Sequence, residues 1–395
     1  MIDTISKNNC CGCGACRDAC PKKCIEMKKD DEGFLYPQIT GECIKCGRCI
    51  IVCPGMNKPK LSWPIKGYMA FSTDAAIRSS GSSGGFFGTA ANYIIEQGGV
   101  VFGAGFDENL KLVQYKATRQ AEIDPLCKSK YLQCDTNGYF NEVKKEAEKG
   151  SQVLVCNTPC NIAALKNYLN KEYGNVFFVD FVCHGVSSQD FFDQCITWYK
   201  ASKNIKILEY TFRKKSANAP TPHLFEIKYE KGEAVKYKTD LYIKDPFYLG
   251  FQKRITLRKS CYKCKYAENK RISDITIGDF HNINRYDKTV DRSAGASMIL
   301  VNTQKGLDFL NLQENCLNMT EYDVDLLLRN NECLNAPTAE PAGRYDFFVK
   351  LRTIGVSGLL KKELKPDIIK IIYYKLPKQI RNILKNVILG DKQWN

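Results

Sequence analysis

The sequence predicts an α/β main domain, a mixed sheet with flanking helices, preceded by a small α+β domain and followed by a helical C-terminal region. Three observations carry that reading. A four-cysteine run near the N-terminus recurs once further on. Short apolar stretches of strand length then alternate with helical patterns as far as Thr303. From about Leu307 onward, apolar pairs recur at helical spacing between lysines. The expected boundaries are 1–58 for the small domain, 59–66 for a linker, 67–303 for the main domain and 304–395 for the helical region.

The first element is the cysteine run. Cys10, Cys13, Cys16 and Cys20, closed by Pro21, return as Cys43, Cys46, Cys49 and Cys53, closed by Pro54. This is the spacing of bacterial two-cluster ferredoxins. Three thiolates from a tight loop hold three irons of a 4Fe–4S cubane, while Gly12, Gly14 and Gly47 let the backbone wrap it. The fourth cysteine is expected to begin a short helix leading away and to ligate the other cube. One set is therefore Cys10, Cys13, Cys16 and Cys53, and its twin is Cys43, Cys46, Cys49 and Cys20. Zinc would ask for separated pairs or histidines, and none of the three histidines lies here. Cys11 and Cys24 fall outside the spacing and read as packing residues. Between the runs, MKKDDEGFLYPQIT suggests a hairpin and turn, and NKPKLSWP a linker.

Composition agrees with this chemistry. Twenty cysteines in 395 residues is far above ordinary usage, yet the chain is too long for a disulfide-stapled miniprotein. The opening MIDTISKNNCC lacks the layout of a secretory signal. No apolar run approaches the roughly eighteen residues of a membrane span. A soluble, cytoplasmic protein is expected, in a compartment where clustered cysteines are more often metal ligands than disulfides. The formal net charge is +15. From Asp346 to Asn395 there are eleven Lys and Arg against four Asp and Glu, a net of +7. Such an excess suits acidic protein partners. Without basic motifs interleaved with aromatics, nucleic acid is not expected as a partner.

In the main domain, GYMAFS and VVFGAGF read as strands separated by the helical GGFFGTAANYIIEQ. QVLVC leads through NTPC into the helical NIAALKNYL, and VFFVDFV leads through CHGVSS into DFFDQCITWYK. This alternation predicts parallel neighbours. A hairpin is expected around Lys231 and Gly232, then strands in ISDITIGDF and SMILVNT.

Three loops carry chemistry. Ser79 to Phe87, entering a helix, offers small residues and backbone N–H groups suited to a phosphate. At the second, Thr158 is a natural N-cap and Pro159 suits the first helical position. That places Cys160 in the first turn, where the dipole favours a thiolate. The third puts Cys183 and His184 at a strand end, the ligand edge of an open α/β sheet. Further on, Cys261 and Cys264 form a lone C-x2-C that needs two more ligands. Cys160 and Cys183 are the best placed, giving a third 4Fe–4S set. Cys127, Cys134, Cys156, Cys195, Cys316 and Cys333 read as ordinary thiols.

Taken in order, GSSGGFF, TPCNIAAL, DFVCHGVSS, CYKCKY and DITIGDF resemble the coenzyme F-420 hydrogenase/dehydrogenase beta-subunit family. Its members are FAD- and iron–sulfur-dependent, and some carry a fused ferredoxin half. The resemblance implies FAD near Ser82, Ser83, Gly84 and Gly85, with Asn157, Thr158 and Gly185 in adjacent loops and Asp279 as a polar contact. It supports the third cluster as well. Asn157, Asn161, Ser187 and His281 depart from the usual residues; they leave every expected ligand in place and bear on the substrate. Relatives beside polysaccharide-synthesis genes suggest that setting.

The implied activity is an oxidoreductase passing electrons between FAD and 4Fe–4S clusters, linking a ferredoxin- or flavodoxin-like carrier, or another redox subunit, to an organic or coenzyme substrate. The alternative is a flavin-free electron-transfer subunit. His184 is the candidate proton donor, with His281 a weaker one and His223 a surface residue. Pro366 and Pro377 divide the basic tail into short helices. Their apolar faces are expected to pack on the protein itself, with peripheral contact to the inner membrane face as the alternative.

Overall fold

A computed structural model describes residues 2–216, 224–280, 294–377, 379–381 and 383–384. His223 and His281 lie outside them. The chain forms two compact units. The first draws on the described residues of Met1–Gln189, Leu257–Phe280 and Gly295–Ala339, the second on those of Asp190–Thr256, His281–Ala294 and Glu340–Asn395.

Thirteen strands follow in chain order: β1 Ile25–Lys29, β2 Leu35–Ile39, β3 Lys66–Ser72, β4 Val100–Phe106, β5 Leu112–Ala117, β6 Val153–Asn157, β7 Val176–Phe181, β8 Lys206–Thr211, β9 Leu224–Lys231, β10 Ala234–Leu241, β11 Ile275–Asp279, β12 Ser297–Val301 and β13 Leu317–Tyr322.

In the first unit, β1 and β2 pair as the expected antiparallel hairpin. Its turn is held by Asp30, whose Oδ1 accepts from the N–H groups of Glu32 and Phe34. The cysteine runs wrap two four-residue helices, Ala15–Asp18 and Arg48–Ile51. Gly14 and Gly47, both left-handed, launch them (φ 75° and 77°). The third cysteine of each run is therefore helical, and the fourth follows the helix instead of beginning one. The glycine turn starts the helix early, and Pro21 and Pro54 stop any continuation past Cys20 and Cys53.

The main sheet has eight strands in the order β13-β3-β12-β11-β7-β6-β4-β5. The neighbours β4–β6, β6–β7 and β7–β11 are parallel, and the remaining pairs antiparallel. Side chains alternate between two cores. Val100, Phe102, Val153, Val155, Val176 and Phe178 meet helices Tyr139–Glu148 and Pro159–Leu169. Val101, Leu154 and Val179 meet helices Phe86–Glu96 and Gln304–Asn311 on the other face. Burial on both faces explains the nearly continuous apolar runs. Cys13, Ala15 and Val52 join the first of these cores, with Cys160 and Cys264 packed against it.

In the second unit, β10-β9-β8 form an antiparallel sheet with the expected hairpin at Gly232. Phe192, Tyr210, Phe212 and Phe247 make its aromatic core. Helix Arg344–Lys361 kinks at Gly355, and helix Ile368–Lys375 follows Pro366. The last helix departs from expectation: Tyr373 is its buried residue, while Ile368, Ile369 and Ile372 are exposed. Among the described residues, no helix is long and apolar enough to cross a membrane.

Candidate metal centres

Cys10, Cys13, Cys16 and Cys53 are all buried. Cys16 lies within electrostatic reach of Cys10, Cys53 and Cys49, and its thiol is pushed up, first by burial and then by those neighbours. The loop is fastened from outside. Thr136 Oγ1 donates to the Cys13 carbonyl (2.5 Å), and Gln133 Nε2 to that of Gly12 (3.2 Å). Arg258 Nε donates to the Cys10 carbonyl (2.8 Å).

The second set is differently placed. Cys20, Cys43, Cys46 and Cys49 line one cavity of about 70 Å³, together with Lys22, Cys24, Lys45 and Arg48. Cys46 is exposed, the other three are partly so, and Ile44 and Ile51 beside them are 56% and 54% exposed. Cys24 borders this cavity, its sulfur 3.5 Å from that of Cys20.

The third set is assembled by strand ends. Cys160 stands in the first turn after β6, and Cys183 two residues beyond β7, its parallel neighbour. Ser187 pairs with Leu257, and Arg258 N–H donates to the Val186 carbonyl (2.9 Å). Gly185, at φ 120°, packs so tightly that an added Cβ would sit 3.0 Å from Cys261 Cβ. The C-x2-C turn is thereby pressed onto the Cys183 loop. Burial, then the neighbouring thiols Cys261, Cys160 and Cys264, hold Cys183 well above the usual thiol range. Burial first and nearby thiols second also push Cys261 up to about 12 and Cys264 to about 11. Ligation would therefore release protons from these groups.

The first and third sets adjoin. The Cys11 thiol lies beside both Cys13 and Cys160, close enough to shift their titration. Tyr266 Oη donates to the Pro54 carbonyl (3.0 Å) and Lys265 Nζ to that of Gly55 (2.6 Å). Nothing in the spacing marks Cys11 for this position. Among the described residues, no three His, Cys, Asp or Glu side chains close on a point as they would around one ion. A cubane asks for a wider arrangement, since each thiolate binds its own iron.

The Ser-Gly loop is largely engaged with its own protein. Ser82 Oγ accepts from Ser129 N–H (2.7 Å), Ser83 Oγ donates to the Ala296 carbonyl (2.6 Å), and Gly84 N–H donates to Ser297 Oγ (2.9 Å). A Cβ on Gly84 would lie 2.2 Å from the Ala70 carbonyl, so glycine is required there by packing. The Gly84 N–H is thus not among the free donors expected of this loop. Gly85, left-handed, opens helix Phe86–Glu96. Asp279 pairs with Ser297 across β11 and β12, which puts it beside Gly84.

Thr158 precedes Pro159 as expected, but its hydroxyl accepts from Asn161 Nδ2 (2.8 Å) instead of capping the helix. Asn157 Oδ1 accepts from Thr158 N–H, while its buried Nδ2 has no hydrogen-bond partner among the described residues. That orphaned donor is compatible with a polar ligand at this edge. Lys130, next to Ser129, was not foreseen; burial pushes it down to about 8, with the Cys127 and Cys156 thiols opposing. His184 is exposed, with Nδ1 3.2 Å from Cys333 Sγ and its carbonyl accepting from Thr338 Oγ1 (2.8 Å). Cys333, expected as an ordinary thiol, is buried beside this ring.

Residues 150–325 match the family model described as the C terminus of the beta subunit of coenzyme F420 hydrogenase/dehydrogenase. Over 56 residues the chain is 38% identical to ketoisovalerate oxidoreductase subunit VorC of Methanothermobacter marburgensis, covering 13% of this chain and 71% of that protein. Over 50 residues it is 36% identical to an uncharacterized ferredoxin of Methanocaldococcus jannaschii, covering 13% of this chain and 65% of that one. A chain from the F420-reducing NiFe hydrogenase complex of Methanosarcina barkeri aligns with a TM-score of 0.46 at 15% identity, over 77% of this chain and 94% of that chain.

Proposed function

The chain belongs, through residues 150–325, to the coenzyme F420 hydrogenase/dehydrogenase beta-subunit family, and from that membership we propose that it is an iron–sulfur flavoprotein oxidoreductase. It links an acidic ferredoxin- or flavodoxin-like carrier, or another redox subunit, to an organic or coenzyme substrate in the cytoplasm. The observation that carries the proposal is the meeting of Cys160, Cys183, Cys261 and Cys264 beside the doubled ferredoxin run.

Three 4Fe–4S clusters would be held by the three cysteine sets, and FAD along Ser82–Gly85 with Asn157, Thr158, Gly185 and Asp279. When bound, FAD would exchange electron pairs with substrate and single electrons with the clusters. The protein supplies order and exclusion of water. Its third set adjoins the first through Cys11, Cys16 of the first lies within reach of Cys49 of the second, and Cys46 opens to solvent. His184, steadied at Nδ1 by Cys333, would keep Nε2 for a proton exchanged with substrate. Polysaccharide synthesis is the proposed setting.

One observation favours the flavin-free electron-transfer subunit instead: Ser82, Ser83 and Gly84 already have partners. Iron, acid-labile sulfide and flavin per chain, after anaerobic purification and reconstitution, separate the two. About twelve irons with one FAD is the expected result. About twelve irons without flavin would favour the subunit, and eight would remove the third cluster.

The exposed isoleucines of helix Ile368–Lys375 support a peripheral contact with an anionic membrane face. Flotation with anionic liposomes should be lost on removing residues 365–395; equal flotation of both forms would rule the contact out.

A further inference from the structure

Arg258 is fully buried, and its side chain has no carboxylate within ion-pair distance among the described residues. Its guanidinium donates to the carbonyls of Cys10 (2.8 Å) and Leu35 (2.9 Å) and to Gln133 Oε1 (3.3 Å). The Tyr36 ring lies 3.9 Å from its centre, and Nη2 comes within 3.6 Å of Cys10 Sγ. Every oxygen it meets is neutral. An arginine stays protonated in a protein, so this charge is permanent. A buried charge is tolerated when an opposite charge answers it. Here the nearest groups that become anionic on ligation are the thiolates around Cys10, with Cys261 of the third set also within electrostatic reach.

We propose that Arg258 is the built-in counter-cation of the centre formed by Cys10, Cys13, Cys16 and Cys53, and that it raises the reduction potential of that centre. The inference rests on reading those four cysteines as 4Fe–4S ligands. The sign follows from charge. Reduction adds one electron to the cube, so a fixed positive charge beside it favours the reduced form. Low dielectric enlarges that preference. Arg258 is a positioning residue, acting on the centre through field and hydrogen bonds. Its backbone also binds Val186 and Cys261, which ties the same residue to the third set. In the second run Lys45 stands at the step of Gly12, and a Cβ on Gly47 would meet nothing within 4 Å, whereas one on its counterpart Gly14 would meet Thr136 Oγ1 at 2.6 Å.

The test uses the full anaerobic holoprotein, with each centre followed by EPR during a reductive titration and iron counted beside it. In Arg258→Gln, one centre should be harder to reduce by about tenfold or more in its reduced-to-oxidised ratio, where tenfold is about 59 mV for one electron. The second set should be unmoved, and the third, reached by the same charge only through Cys261, should shift less than the first. Arg258→Lys, which keeps the charge, should stay within about threefold of the wild type. Full iron with an unshifted titration in Arg258→Gln would overturn the proposal. Should that variant lose four irons, Arg258→Lys decides: full iron and a near-native potential support the charge, whereas the same loss means that the arginine fork only holds the loop. Wild-type protein with fewer than about eight irons would instead defeat the cluster assignment beneath it.

Discussion

Gly12 and Lys45 occupy the same step of the two cysteine runs, and both adopt positive φ (71° and 55°). The backbone requirement is shared, but the surroundings are not. A Cβ on Gly12 would lie 2.2 Å from Gln133 Nε2 and 2.9 Å from Arg258, whereas nothing lies within 4 Å of one on Gly47. Gly12→Ala should therefore expel its neighbours as well as strain the turn, and lose the first set's four irons after anaerobic purification. Gly47→Ala should add only the left-handed penalty, about 1 kcal/mol, and keep full iron. Equal iron loss in both would mean that packing from outside does not hold the first loop. The same contrast marks what a sequence shows at this scale. The eight proposed ligand positions follow from spacing, because spacing within one short loop is local geometry. Arg258 and Cys11 meet their neighbours across the fold, and no local pattern announces them.

At the scale of elements, the central strands were legible because burial on both faces leaves few polar residues in them. The sheet's two ends were not. β5 (LVQYKA) has beyond β4 only a short bridge to Asp135 among the described residues, and β13 (LNMTEY) ends the sheet; both carry exposed polar residues that hide them, and β13 falls in a stretch expected to be helical. The loops after β6 and β7 were legible as a candidate ligand edge, since parallel strands must end together there. How the C-x2-C turn reaches them was not. Arg271 supplies part of the answer. It is buried against Asp180 of β7 (3.1 Å), donates to Thr276 Oγ1 on β11 (3.1 Å), and its backbone pairs with Ser62. A buried pair of this kind adds little net stability but fixes one arrangement. Here it joins the residues expected as linker, the C-x2-C segment and two neighbouring strands.

For the molecule as a whole, the uneven exposure of its cysteine sets would give the proposed electron flow an outer end. The cavity at the second set is lined by Lys22, Lys45 and Arg48 with no carboxylate among its lining residues, and exposed Ile44 stands at its edge. Basic residues around an apolar, partly open centre suit an acidic carrier, chiefly by raising its rate of encounter. Lys45→Glu/Arg48→Glu should slow electron exchange with a small acidic ferredoxin by about tenfold at low ionic strength. Above about 0.5 M salt, where the screening length falls to a few ångströms, the two proteins should converge. Stopped-flow reduction reads both conditions, and dithionite, which needs no docked protein, should reduce the variant and the wild type alike. Unchanged rates with the acidic ferredoxin at low salt would place the exchange elsewhere on the surface. A dithionite defect would mean that the substitutions had damaged the centre itself, so the two failures leave different traces.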